Sequence, residues 1–151
     1  MSAMARIEFH FNAPGLLPYA CRLLRKIHLR GLRAQVTGPQ ALLEQLDQQL
    51  WTFSALDFLP HCNAQASAVL RKNAAVLLSE QAVTDWHRQV LVNLGESVPQ
   101  GFEAFQRIID VVSVDELHRA QGRARWRQYS QLGHELLRHD LAEPQATQER
   151  G

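Results

Sequence analysis

No apolar run in this 151-residue chain approaches the ~20 residues that a membrane-spanning helix needs. The opening MSAMARIEFHF lacks the apolar centre of a secretory signal and soon alternates like a strand, so a cytoplasmic protein is expected. Cysteine is scarce: Cys21 and Cys62 supply neither a disulfide framework nor a four-ligand zinc site. Phosphate-cradling glycines are missing too. The first strand runs into NAPGLLP, with one glycine where a dinucleotide fold needs G-x-G-x-x-G, and no P-loop follows elsewhere. There is no G-x-S-x-G elbow and no H-E-x-x-H, and His134 with His139 is a weak ligand spacing. His61 and Cys62 are neighbours, so on an extended chain they point to opposite faces and the imidazole is badly placed to activate the thiol. Asp85, Asp110 and Asp115 make no evident carboxylate pair. The expectation is a protein that is not an enzyme and needs neither cofactor nor metal.

Lysine is rare as well. Only Lys26 and Lys72 occur, so arginine supplies fourteen of the sixteen cationic side chains. A formal net charge of +1 argues against a uniformly basic nucleic-acid coat, yet the charge is unevenly spread. No acidic residue falls between Glu8 and Glu44, whereas Arg22, Arg25, Lys26, Arg30 and Arg33 do. That row reads either as the solvated face of an amphipathic helix or as a direct single-stranded nucleic-acid site.

What is present reads as alternating strands and helices. Ile7, Phe9 and Phe11 alternate with Glu8 and His10 as a first strand, and Leu16, Leu17, Ala20, Leu23, Leu24 and Ile27 give a helical stripe that Gly31 stops. Arg33–Thr37 is a second strand; Leu42, Leu43, Leu46 and Leu50 carry a second helix. Phe58-Leu59-Pro60 is expected as a short strand at an edge. The runs 75–78, 90–94 and 108–112 suit strands buried on both faces of a parallel sheet, with a helical turn around Phe102–Phe105. The fold class is therefore α/β: one three-layer domain over residues 1–141, with a mostly parallel sheet of nucleotide-binding-like topology but no nucleotide site. Residues 142–151 form a polar tail expected to be flexible.

The segment SVDELHRAQGRARWRQYSQLG, Ser113 to Gly133, is the most informative. Ser113 with Glu116 fits a capping box that would start a helix. At 3.6 residues per turn Arg119, Arg123, Trp126 and Arg127 share one face, and no acidic residue lies between Leu117 and Leu132. Leu117, Ala120, Gln121, Ala124 and Leu132 fall mostly on the other side, which is expected to pack on the core. Burying several guanidinium groups without acidic partners would cost several kcal/mol each, roughly, so Trp126 among them is expected to be partly exposed. A large aromatic inside an arginine stripe suits an acidic peptide or a nucleic acid. Elsewhere, Trp51 and Phe58 either cap the core or form an apolar patch for another subunit.

Two features carry a resemblance. LDQQLWTFSALDFLPH, Leu46 to His61, resembles the L-D-x-x-L-W…F-x-P-H segment of the chi subunits of bacterial DNA polymerase III holoenzyme. The order strand, Asp110-Val111-Val112, basic helix with an aromatic, then glycine is similar as well, and the likeness spans residues 4 to 133. It implies a non-catalytic adaptor of the clamp-loader assembly with an α/β fold. Such proteins hold the acidic, phenylalanine-ending C-terminal tail of single-stranded DNA-binding protein (SSB), and so meet DNA indirectly. Carried over, the tail site comprises Val112, Arg119, Arg123, Trp126 and Arg127, while Trp51, Phe58, Pro60 and His61 are candidates for contact with the psi subunit. The chain departs from the family pattern at Trp126, where tyrosine is common, and at Ser113, where proline is common. The first change keeps an aromatic wall; the second is expected to strengthen the helix cap.

Overall fold

The apolar runs that bury both faces become strands of one sheet. The structure, a computed structural model, describes residues 5–52 and 59–142. In chain order the elements are β1 (Arg6–Ala13), α1 (Leu16–Leu29), β2 (Ala34–Thr37), α2 (Gln40–Thr52), β3 (His61–Asn63), α3 (Ala68–Asn73), β4 (Val76–Leu78), β5 (Val90–Asn93), a single 3-10 turn (Phe102–Ala104), β6 (Arg107–Ser113), α4 (Glu116–Gln131) and β7 (Leu136–Asp140). The sheet order is β3-β4-β2-β5-β6-β1-β7, and every neighbouring pair is parallel. Among the described residues no helix is long and apolar enough to cross a membrane.

Alternate strand residues feed two layers, as the pleat requires. On one face Leu23, Leu24 and Ile27 of α1 and Leu43, Leu46 and Leu50 of α2 meet Val36, Val90, Val92, Ile109 and Val111. On the other, Ile7, Phe9, Leu91, Ile108 and Val112 meet Phe102, Phe105 and Tyr129 of α4. The expected three-layer α/β architecture is what forms. β1 is fixed on its α1 side by a polar cluster. Burial pushes the Glu8 carboxyl up, but bonds from His10 and Arg107 outweigh it and bring the group down to about 2.

Four local expectations need correction. Leu59 and Pro60 form no strand; pairing begins at His61 opposite Val76, just after the Pro60 carbonyl accepts from the Ala75 and Val76 N–H groups. Phe58 itself lies outside the described residues, as does the tail from 143 onward. Ser113 is no helix cap. It ends β6 opposite Ala13, and the cap is Asp115, whose carboxylate accepts from the His118 N–H at 3.1 Å. Leu117, Ala120, Ala124 and Leu132 face solvent, and the core side of α4 is Gly122, Arg125 and Tyr129. β7 was not foreseen: LLRHD has no apolar run, because an edge strand pairs on one side only.

Candidate functional site

The rotation of α4 is fixed by one buried ion pair. Arg125 is 1% exposed, and its Nε and Nη2 donate to the Asp110 carboxylate at 2.9 and 2.8 Å, while Nη1 donates to the Glu96 carbonyl at 2.9 Å. Asn93 Nδ2 also donates to Asp110, at 3.2 Å. Burial pushes the Asp110 carboxyl up, opposed by the Arg125 charge and the bonds from Arg125 and Asn93. A pair so enclosed tolerates only one helix orientation, since any other strands a charge in the core. Close approach comes from Gly122, where a Cβ would stand 2.8 Å from Val112 Cγ2. At the helix start, the Ser113 N–H donates to His118 Nδ1 at 2.9 Å, so the bonded ring is neutral at that nitrogen.

With Arg125 turned inward, its neighbours turn outward. Arg119, Arg123 and Arg127 are exposed, and Trp126 is half-buried with its ring edge-on to Phe9 at 5.1 Å. Together they line a groove of about 420 Å³ between α4 and the β1–β7 edge of the sheet. Its floor is Phe9, Val112, Gly122 and Trp126. One wall is Arg119, Arg123 and Arg127; the other is Phe11 and Arg138, whose guanidinium lies 5.1 Å from the Phe11 ring centre. No described residue lining the groove is acidic. Glu116 approaches Arg119 and Arg123 only loosely, at 3.7 and 3.8 Å, and its exposure leaves such contacts worth little. An apolar floor between cationic walls accepts an aromatic ring bearing or flanked by carboxylates.

All five residues expected in the tail site therefore line one groove. Gly122 reads from sequence as a place of close approach, and it lies against Val112 of β6; reasoning from sequence missed Phe9, Phe11 and Arg138. Phe9 and Phe11 were legible as strand residues but not as facing α4, and Arg138 comes from the unforeseen strand.

The second expected cluster is partly assembled. Trp51 is 57% exposed at the end of α2, so its ring does not cap the core; it stands 4.9 Å from the ring of His61. His61 Nδ1 donates to the Leu59 carbonyl at 2.7 Å, and Asp47 Oδ1 lies 3.2 Å from Nε2. Pro60 directly precedes His61, the first residue of β3. His61 faces α2 whereas Cys62 packs beside Ala74, Leu77 and Trp86 on the opposite side. Burial pushes both thiols up, which leaves Cys21 and Cys62 weak nucleophiles.

A depression of about 680 Å³ lies beside Thr37, Gly38, Asn93 and Gly95 at the carboxyl ends of β2 and β5, where doubly wound folds hold nucleotides. Its described lining includes Glu80 and Glu96 and no lysine or arginine, a field that repels a polyphosphate. On α1, Arg22 and Lys26 are exposed on the side away from Ala20, Leu24 and Ile27, and Arg30 is exposed at the helix C-cap.

The family model described as DNA polymerase III chi subunit, HolC, matches residues 4–137. The chain is 29% identical over 143 residues to the Pseudomonas aeruginosa protein named DNA polymerase III subunit chi, covering 91% of this chain and 98% of that one. It is 26% identical over 119 residues to the Haemophilus influenzae protein of the same name, covering 78% and 81% respectively. Among solved structures, the C-terminal domain of a S. cerevisiae Dbp5 variant bound to Gle1 and IP6 superposes with a TM-score of 0.57 at 9% identity, covering 98% of this chain and 96% of that one, a likeness of fold alone.

Proposed function

The chain belongs to the DNA polymerase III chi subunit family, and we propose that it is a non-catalytic accessory subunit of DNA replication that holds the acidic C-terminal tail of SSB in the α4 groove. In this reading it couples the clamp loader to SSB-coated DNA in the cytoplasm. The observation that carries it is the convergence of Val112, Arg119, Arg123, Trp126 and Arg127 on one groove with an apolar floor. The terminal phenyl ring of the tail occupies the floor against Trp126 and Phe9. Guanidinium groups of α4 take the terminal carboxylate, and the remaining charge draws in upstream aspartates. The exposed Trp51, with Pro60 and His61, and Phe58 in the same segment, offers the contact for psi.

Titration with a synthetic SSB tail peptide tests the tail reading. Binding is expected at roughly micromolar affinity and to weaken with salt. Removing the terminal phenylalanine, or making Arg123→Glu, should abolish most of it. Affinity that survives both changes would overturn the assignment.

A further inference from the structure

The groove has two cationic walls, and only one of them belongs to α4. Resting on the tail-binding reading above, we propose that Arg138 on β7 is a specificity-determining residue: it takes an acidic side chain of the bound tail across the groove from the α4 arginines. Arg138 pairs in register with Phe9, so its side chain rises on the face of the sheet that forms the floor. Its guanidinium lies over Phe11. Stacking on an aromatic face restrains the planar group while leaving its in-plane N–H donors available, an arrangement matched to a carboxylate. Asp140, two residues on, feels the Arg138 and Arg119 charges, but its hydrogen bonds go to other groups. Its carboxylate accepts from Asn12 Nδ2 at 2.8 Å and from the Ala142 N–H at 2.9 Å.

The geometry sets what the ligand must carry. A ring in the floor with a single terminal carboxylate engages the α4 wall and leaves Arg138 unanswered. A second anionic group, upstream of the terminus, engages both walls at once. The groove thus favours an aspartate-rich chain ending in an aromatic residue over a chain end that is merely apolar.

The test uses the full chain and two synthetic peptides that both end in phenylalanine, one with aspartates ahead of it and one with asparagines at the same places. Fluorescence anisotropy at fixed salt gives the affinities of the unmodified protein, Arg138→Gln, and Arg30→Gln as a charge-loss control on α1. Arg138→Gln is expected to weaken the aspartate peptide by about fivefold and leave the asparagine peptide unchanged. Arg30→Gln should change neither. If Arg138→Gln weakens both peptides equally, or neither, Arg138 does not read the acidic residues and the proposal falls while tail binding stands. If the unmodified protein binds neither peptide, tail binding itself fails.

Discussion

Helices α1 and α4 both carry rows of arginine, and they end up with different chemistry. On α1 the row lies opposite a continuous apolar stripe of Ala20, Leu23, Leu24 and Ile27, so the helix buries one side and hydrates the other. On α4 the inward side holds Gly122, Arg125 and Tyr129, and the half-buried Trp126 sits at the boundary between inside and outside. Charge is therefore common to both, whereas an apolar concavity beside the charge occurs with α4. An arginine row thus borders an apolar groove where its helix lies close on the sheet beside an aromatic floor. Here the close approach is set by Gly122 on Val112 and the rotation by Arg125 on Asp110.

That contrast can be broken at several points. The largest effect is expected from Arg125→Met, which leaves the Asp110 carboxylate buried without its partner and should cost about 3–5 kcal/mol in chemical unfolding. Adding Asp110→Leu should recover most of the loss. A stability change below about 1 kcal/mol in the single variant would mean that the pair does not fix α4.

Next, Arg123→Glu should weaken tail-peptide binding at least about tenfold, while Arg30→Glu on α1 leaves it unchanged within about twofold. Equal losses would make the two rows equivalent and dissolve the contrast. Gly122→Ala is subtler. Overpacking against the stiff, β-branched Val112 costs roughly 1–3 kcal/mol, and the gain in helix propensity returns up to about 1. A net loss of about 1 kcal/mol is expected in thermal unfolding, together with weaker peptide binding as α4 rides up.

The smallest effect is one of pH. Burial and the Arg125 charge, in that order, hold the His118 imidazole below its ordinary 6.5. The neutral ring is the form that accepts from Ser113. Its contribution is intact above the unfolded value of 6.5 and is lost as pH falls below it, because the unfolded chain takes the proton first. His118→Asn should flatten the decline in melting temperature between about pH 7.5 and about pH 5.5, and an unchanged slope would remove His118 from the account.

Much of this was legible because periodicity reports faces. Strands buried on both sides announce themselves as unbroken apolar runs, as in Val76–Leu78, and the 3.6-residue period put Arg119, Arg123, Trp126 and Arg127 together. The inward face of α4 was illegible for a definite reason. Arg125 breaks the rule that charge lies outside, and its partner sits fifteen residues away on another element. Gly122, Arg125 and Tyr129 at i, i+3 and i+7 hold the signal in retrospect: the smallest residue marks the closest approach. β7 stayed hidden since, of its side chains, Leu136 alone packs on a core cluster. The alternation of Ile7, Phe9 and Phe11 gave the strand, but which face met α4 depends on sheet order, and sheet order is not a local property.

The register that sets Phe9 beside Arg138 joins the first described strand to the last. The groove is thus a seam, closed only when segments far apart in the chain have met. During synthesis Phe9 and Phe11 emerge early, the helical wall with Trp126 late, and Arg138 last of all. A chain halted before β7 presents a charged helix with no cation opposite. A ligand spanning the seam ties the two segments together, so it should stabilise the edge of the sheet beyond its own footprint and slow the fraying of β7 from β1. The groove is, in this molecule, a record that β1, α4 and β7 have come together.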